Sequence, residues 1–204
     1  MAKSTDIRLL LVRTGATEWE AAGRLCGTCD LPLSGEGRRV VKEAVAGVTG
    51  AEISVVLCGP DEASVETARA LAERTGAKVR ELDDLAEVGL GLWEGMLASE
   101  VEEKYPTAYR QWKDDPASVT PPEGESLAEA EERIIGGLSR GLSKAKGATG
   151  VVLRPMAHAL VRGRLLKVPA SRVWAMMDES PAVEWHSARG DELKAGVERA
   201  RAER

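Results

Sequence analysis

The chain has 204 residues, 43% hydrophobic and 30% charged, with a formal net charge of −5. This is ordinary globular composition for one large domain or two small ones; it excludes a disordered polypeptide, and no apolar run is long enough to span a membrane. The acidic balance and an aromatic content of 3% argue against a nucleic-acid binder, which needs a basic face and stacking platforms. With no signal-like segment before the first apolar run, the expectation is a cytoplasmic protein whose three cysteines are reduced.

In chain order, Ile7 to Arg13 is an apolar run stopped by Thr14-Gly15 and predicts a buried strand. Glu36 to Val48 places Val40, Val41, Ala44, Val45 and Val48 at helical intervals. Ile53 to Cys58 predicts a second strand, broken at Gly59-Pro60, and Asp61 to Thr75 a helix stopped by Gly76. Lys78 to Leu82 alternates as a third strand. Glu87 to Pro122 is rich in proline and loops, with too few apolar residues for a core of its own, so a segment at about 87–125 is predicted to be an insertion in a single domain spanning 1–204. Ser126 to Lys146 predicts a long amphipathic helix, Val151 to Leu153 a fourth strand, Ala157 to Leu166 a helix and Val183 to His186 a fifth strand. The charged tail, 189–204, predicts a surface helix.

Strand–helix alternation of this kind predicts an α/β fold, three layers with helices on both faces of a mainly parallel central sheet. Ligands of such sheets bind beyond the carboxyl ends of the strands. That rule points to Arg13-Thr14-Gly15, Cys58-Gly59-Pro60 and Ala157-His158, so Arg13, Thr14, Cys58, Glu87 and His158 are expected around one cavity.

Leu11-Val-Arg-Thr-Gly-Ala-Thr-Glu-Trp19 resembles the L-x-R-H-G-x-T-x-W-N signature of the histidine phosphatase superfamily, the phosphoglycerate mutase-like fold. Arg24 to Gly27, Asp30-Leu-Pro-Leu-Ser34 and Gly37 follow in that family's order. Glu87 with Gly91-Leu-Trp-Glu-Gly95 resembles its acid loop, Pro122 to Ser126 its P-x-G-E-S turn, and Val152 to Leu166 the strand and helix that carry its second histidine, here His158. The resemblance implies Arg13, His158 and Glu87 as surviving catalytic positions, and Glu20, Cys26, Gly27 and Cys58 as ligand-binding ones.

The resemblance breaks where the chemistry lies. Thr14 stands at the position of the nucleophilic histidine, and a threonine hydroxyl is a poor nucleophile without a base. Ala63 stands where the second phosphate-clamping arginine belongs, among the acidic Asp61, Glu62 and Glu66. Glu20 replaces the asparagine of T-x-W-N and adds a carboxylate. A charge-assisted hydrogen bond to phosphate is worth ~1.5–3 kcal/mol, so these changes together remove orders of magnitude in affinity.

The expectation is therefore a catalytically impaired member that binds a small anionic ligand or a protein partner. The rivals are a weak phosphomonoester phosphatase of altered mechanism, using water or Thr14, and an oligomer-forming structural subunit with a vestigial pocket. Cys26-Gly-Thr-Cys29 has C-x-x-C spacing and, with Cys58 and His158, offers four zinc-type ligands; a lone C-x-x-C is a weak signal, and the reading keeps neither metal nor cofactor. Arg154 and Pro155 are out of place in a central strand and predict either a reshaped pocket edge or a strand that ends at Leu153.

Overall fold

A computed structural model of the protein describes residues 6–49, 52–145 and 147–189. Five strands, β1 (Asp6–Arg13), β2 (Ile53–Cys58), β3 (Lys78–Glu81), β4 (Ala148–Leu153) and β5 (Val183–Arg189), form one sheet in the order β3-β2-β4-β1-β5. The first four are mutually parallel and β5 runs antiparallel along β1 at the edge. This is the expected three-layer α/β fold.

The layers follow from alternation along the strands. Leu9 and Leu11 of β1, with Leu57, Val151 and Leu153, face the core that also holds Leu127, Ile134 and Leu138 of helix α6 (Leu127–Leu142) and Leu160 of α7 (Pro155–Leu166). Leu10 and Val12, with Val56 and Val152, face the opposite core against Val41 and Val45 of α2 (Gly35–Ala46) and Ala68 and Leu71 of α3 (Glu62–Thr75). A period of two on buried strands covered on both sides has this consequence.

Local chemistry sets the helix ends. Asp61 caps α3 by accepting from the Ser64 N–H at 3.0 Å, and Gly76 closes it at φ +72°. Ser126 and Glu129 form a capping box on α6, which ends at Leu142, short of the expected Lys146. The strand β4 stops at Leu153; Arg154 is the N-cap of α7 and Pro155 its first residue, where a missing N–H costs nothing. The expected tail helix lies outside the described residues, apart from Arg189 at the end of β5.

The segment after Glu87 packs onto the main core. Tyr105, between its helices α4 (Ala98–Lys104) and α5 (Pro106–Asp114), and Trp112 of α5 contact Trp93; Tyr109 packs on Trp112, which also meets Trp174 of α8 (Val173–Asp178) edge-on at 4.5 Å between centroids. The Trp174 indole N–H donates to the Trp112 carbonyl at 2.9 Å. Three of the five tryptophans and both tyrosines thus join this segment to the domain, a few large rings giving a segment poor in aliphatic residues its share of the core. No described helix is long and apolar enough to cross a membrane.

Candidate functional site

A cavity of about 190 Å³ opens beyond the carboxyl ends of β2 and β3, lined by Gly27, Thr28, Asp30, Pro60, Asp61, Ala86 and Glu87. Of the residues expected from sequence, Gly27 and Glu87 line it; Arg13, Thr14, Cys58 and His158 do not. Its ionisable lining is acidic throughout: Asp30, Asp61 and Glu87.

Glu87 is buried at the N-terminus of α7. Its carboxylate accepts from the backbone N–H groups of Val88 (2.8 Å), Met156 (2.8 Å) and Ala157 (2.7 Å). Burial pushes its pKa up to about 7, against the opposing pull of the Arg154 charge and those N–H groups. It is a carboxyl poised to exchange its proton near neutrality.

Beside the cavity the residue at the end of β4 is Arg154, and its guanidinium is fully buried. Nη2 lies 3.0 Å from Glu20 Oε1 and Nη1 lies 3.5 Å from Asp61 Oδ1. Thr14 neighbours it, since the Thr14 N–H donates to the Leu153 carbonyl at 3.0 Å, and the Thr14 hydroxyl is buried without a hydrogen-bond partner. Glu20 is itself held by the capping box of the short helix α1 (Glu18–Ala21), its Oε2 accepting from Thr17 N at 2.7 Å and from the Thr17 hydroxyl at 3.0 Å. The Glu20 carboxylate therefore pairs with the buried Arg154 cation. A salt bridge at the strand ends needs both residues, and they are 134 positions apart in sequence.

The strand-end expectation for His158 is corrected here. Because β4 ends at Leu153, His158 sits one turn inside α7, fully buried, with neither ring nitrogen hydrogen-bonded. Burial, and then the nearby Arg13 charge, push its pKa down to about 3, so it is neutral. Arg13 does not clamp the cavity: its Nη1 donates to the Met177 carbonyl of α8 at 2.9 Å. His186, the chain's other histidine, lies on β5 with Nε2 2.8 Å from Glu184. Neither imidazole faces the cavity.

The remaining expected residues are structural in their contacts. Ala63 is fully buried in the first turn of α3 and donates its N–H to the Leu31 carbonyl at 3.1 Å. Cys58 is a free thiol in the core, pushed up to about 12, chiefly by burial. Cys26 and Cys29 form a disulfide, which corrects the expectation of reduced thiols. Among the described residues no group of three or more His, Cys, Asp or Glu side chains could hold a metal ion. Asp61 is a cavity residue not expected from sequence, and Arg154, expected only as part of a reshaped pocket edge, is the buried cation beside it. The signals were the capping position after β2 and a charge at the end of an apolar strand.

The three-layer α/β fold, with strand order β3-β2-β4-β1-β5 and an antiparallel edge strand, matches phosphoglycerate mutase-like structures. The chain belongs to the histidine phosphatase superfamily (branch 1), whose family model matches residues 9–193. It is 32% identical over 170 residues to Phosphoserine phosphatase 1 of Hydrogenobacter thermophilus, covering 83% of this chain and 81% of that protein. It is 33% identical over 128 residues to a glucosyl-3-phosphoglycerate phosphatase of Mycolicibacterium vanbaalenii, 63% of this chain and 56% of that protein. Among solved structures, Bacillus stearothermophilus YhfR superposes with a TM-score of 0.79 at 21% identity, over 88% of this chain and 90% of that one, a likeness of fold.

Proposed function

We propose that this protein is a member of the superfamily that has lost phosphohistidine chemistry and uses its cavity to bind a ligand or a partner. The observation that carries the reading is the buried Arg154 held between Glu20 and Asp61. Two carboxylates already pair with the cation that a phosphate would have to recruit, with only its Nη1 hydrogen-bonded, and the residue beside it is Thr14, not an imidazole. Displacing them for a phosphate dianion means separating an established buried ion pair, which costs several kcal/mol, ~3–5 when one partner is lost outright. The acidic lining of the cavity adds repulsion.

A second reading rests on Glu87. A cavity carboxyl with its pKa at about 7 can protonate a leaving alkoxide, which favours slow ester hydrolysis by water with Glu87 as the acid. The names of the relatives supply the substrates for a test. The purified protein is incubated with phosphoserine, glucosyl-3-phosphoglycerate and p-nitrophenyl phosphate, and released phosphate is measured. The binding reading expects no turnover above the Thr14→Ala, Glu87→Gln double variant. Turnover at an ordinary enzyme rate of ~1–1,000 per second, abolished by Glu87→Gln, would overturn it in favour of the second.

A further inference from the structure

We propose that Cys26 and Cys29 are a redox-active pair at the rim of the cavity, open to exchange with a dithiol reductant, and that their oxidised form holds the cavity wall in place. This does not depend on whether the cavity turns over an ester. The two cysteines are joined as a disulfide with Cα atoms 5.9 Å apart, and the residues between them, Gly27 and Thr28, line the cavity. Both cysteines are only half-buried and Thr28 and Asp30 are exposed, so an external thiol can reach the bond.

The bond closes a loop with two intervening residues. Cross-link stabilisation grows with loop length, so this is close to the least a disulfide can contribute to global stability. Its effect is local. The Thr28 N–H donates to Glu94 Oε1 at 2.9 Å, and the same oxygen accepts from the Leu90 N–H at 3.0 Å. A side chain on Gly27 would come within 2.2 Å of that oxygen, so the loop backbone is seated tightly on the 90–94 segment. On the other side, Cys26 Sγ lies 3.9 Å from the Thr17 hydroxyl, which contacts Glu20, the partner of Arg154. The disulfide is thus bracketed by the cavity wall and by the ion pair beside it. Cys58 cannot intervene: it is fully buried in the core, whereas the pair is at the surface.

In the exchange, a reductant thiolate attacks Cys29 Sγ, the more open side, flanked by the two exposed residues. The Cys29–reductant bond forms, the Cys26–Cys29 bond breaks, and the electron pair leaves on Cys26 Sγ. The reductant's second thiolate then attacks its own sulfur in the mixed disulfide and releases Cys29. The two protons lost by the dithiol are taken up by the two cysteines, and the dithiol ends as a cyclic disulfide.

The test is alkylation of the native protein, isolated in air, before and after equilibration with millimolar dithiothreitol, read by peptide mass spectrometry, with amide hydrogen exchange alongside. The expected result is no label on Cys26 or Cys29 before reduction and both labelled together after it, with Cys58 unlabelled throughout. Exchange at Thr28 and Leu90 should accelerate about tenfold or more on reduction, and the Cys26→Ser, Cys29→Ser double variant should show the same acceleration without reductant. Labelling before reduction, or reduction only after unfolding, would overturn the redox pair. Unchanged exchange at Thr28 and Leu90 would overturn its hold on the cavity wall.

Discussion

Replacing Arg154 by methionine removes a fully buried guanidinium that satisfies Glu20 at 3.0 Å and Asp61 at 3.5 Å. Methionine keeps the volume roughly constant, so the cost comes from stranding carboxylates, one of them 8% exposed. Breaking a buried pair in this way costs ~3–5 kcal/mol. For a chain of this length each kcal/mol shifts the melting temperature by ~2–4 °C, so Arg154→Met should lower it by about 6–20 °C. Adding Glu20→Gln and Asp61→Asn removes the stranded charges while keeping the acceptor that caps α3. The triple variant should therefore be more stable than Arg154→Met alone, an ordering that only coupling between the three residues produces. Urea unfolding of the single and triple variants measures it. A loss below ~1 kcal/mol for Arg154→Met, or a triple variant less stable than the single, would refute the claim that the cation is held by these two carboxylates.

Other outcomes follow from the same coordinates. His158 has a folded pKa near 3 against 6.5 unfolded, so the unfolded state protonates first and stability falls as pH drops from about 6.5 towards 3, by up to about 5 kcal/mol; urea midpoints of a His158→Asn variant should lack this slope. Glu87 has the opposite sense: its folded pKa near 7 lies above 4.5, so its own contribution falls as pH rises from about 4.5 to 7, by up to about 3 kcal/mol, and offsets that of His158 between about 4.5 and 6.5. Glu87→Gln should remove that loss and leave stability rising with pH through the same window. Trp112→Ala, which removes the ring linking α5 to Trp174 and Trp93, should cost ~3–5 kcal/mol by calorimetry or urea melting.

The sequence made β1 and β2 legible because each is a short apolar run closed within two residues by Gly or Pro, and β3 because it alternates. Ile53 to Cys58 and the stop at Gly76 coincide with the observed ends. The end of β4 at Leu153 is also the expected one; the helix after it opens two residues earlier than expected, because a proline at the first turn starts a helix. The residue after the strand is therefore Arg154, and His158 lies a turn further into α7, a placement that the resemblance of Val152 to Leu166 to the histidine-bearing segment obscured. Glu20 was recognised as an unwanted carboxylate, but its partner could not be, since no local pattern links residues at opposite ends of a chain. The aromatic packing of the segment after Glu87 was likewise invisible: Trp93, Trp112 and Trp174 are scattered in sequence and meet only in the fold.

The central claim, that a salt bridge and a threonine stand where phosphohistidine chemistry would occur, is tested most directly by rapid-quench labelling. The protein is mixed with ³²P-labelled phosphoserine and quenched in alkali, which preserves phosphohistidine, and the acid-labile phosphate on the chain is counted. The account predicts none on the wild type and none on Thr14→His alone, because Ala63 and the Arg154–Glu20 pair still deny the phosphoryl group its clamp. Stoichiometric acid-labile phosphate on the wild-type chain would contradict it.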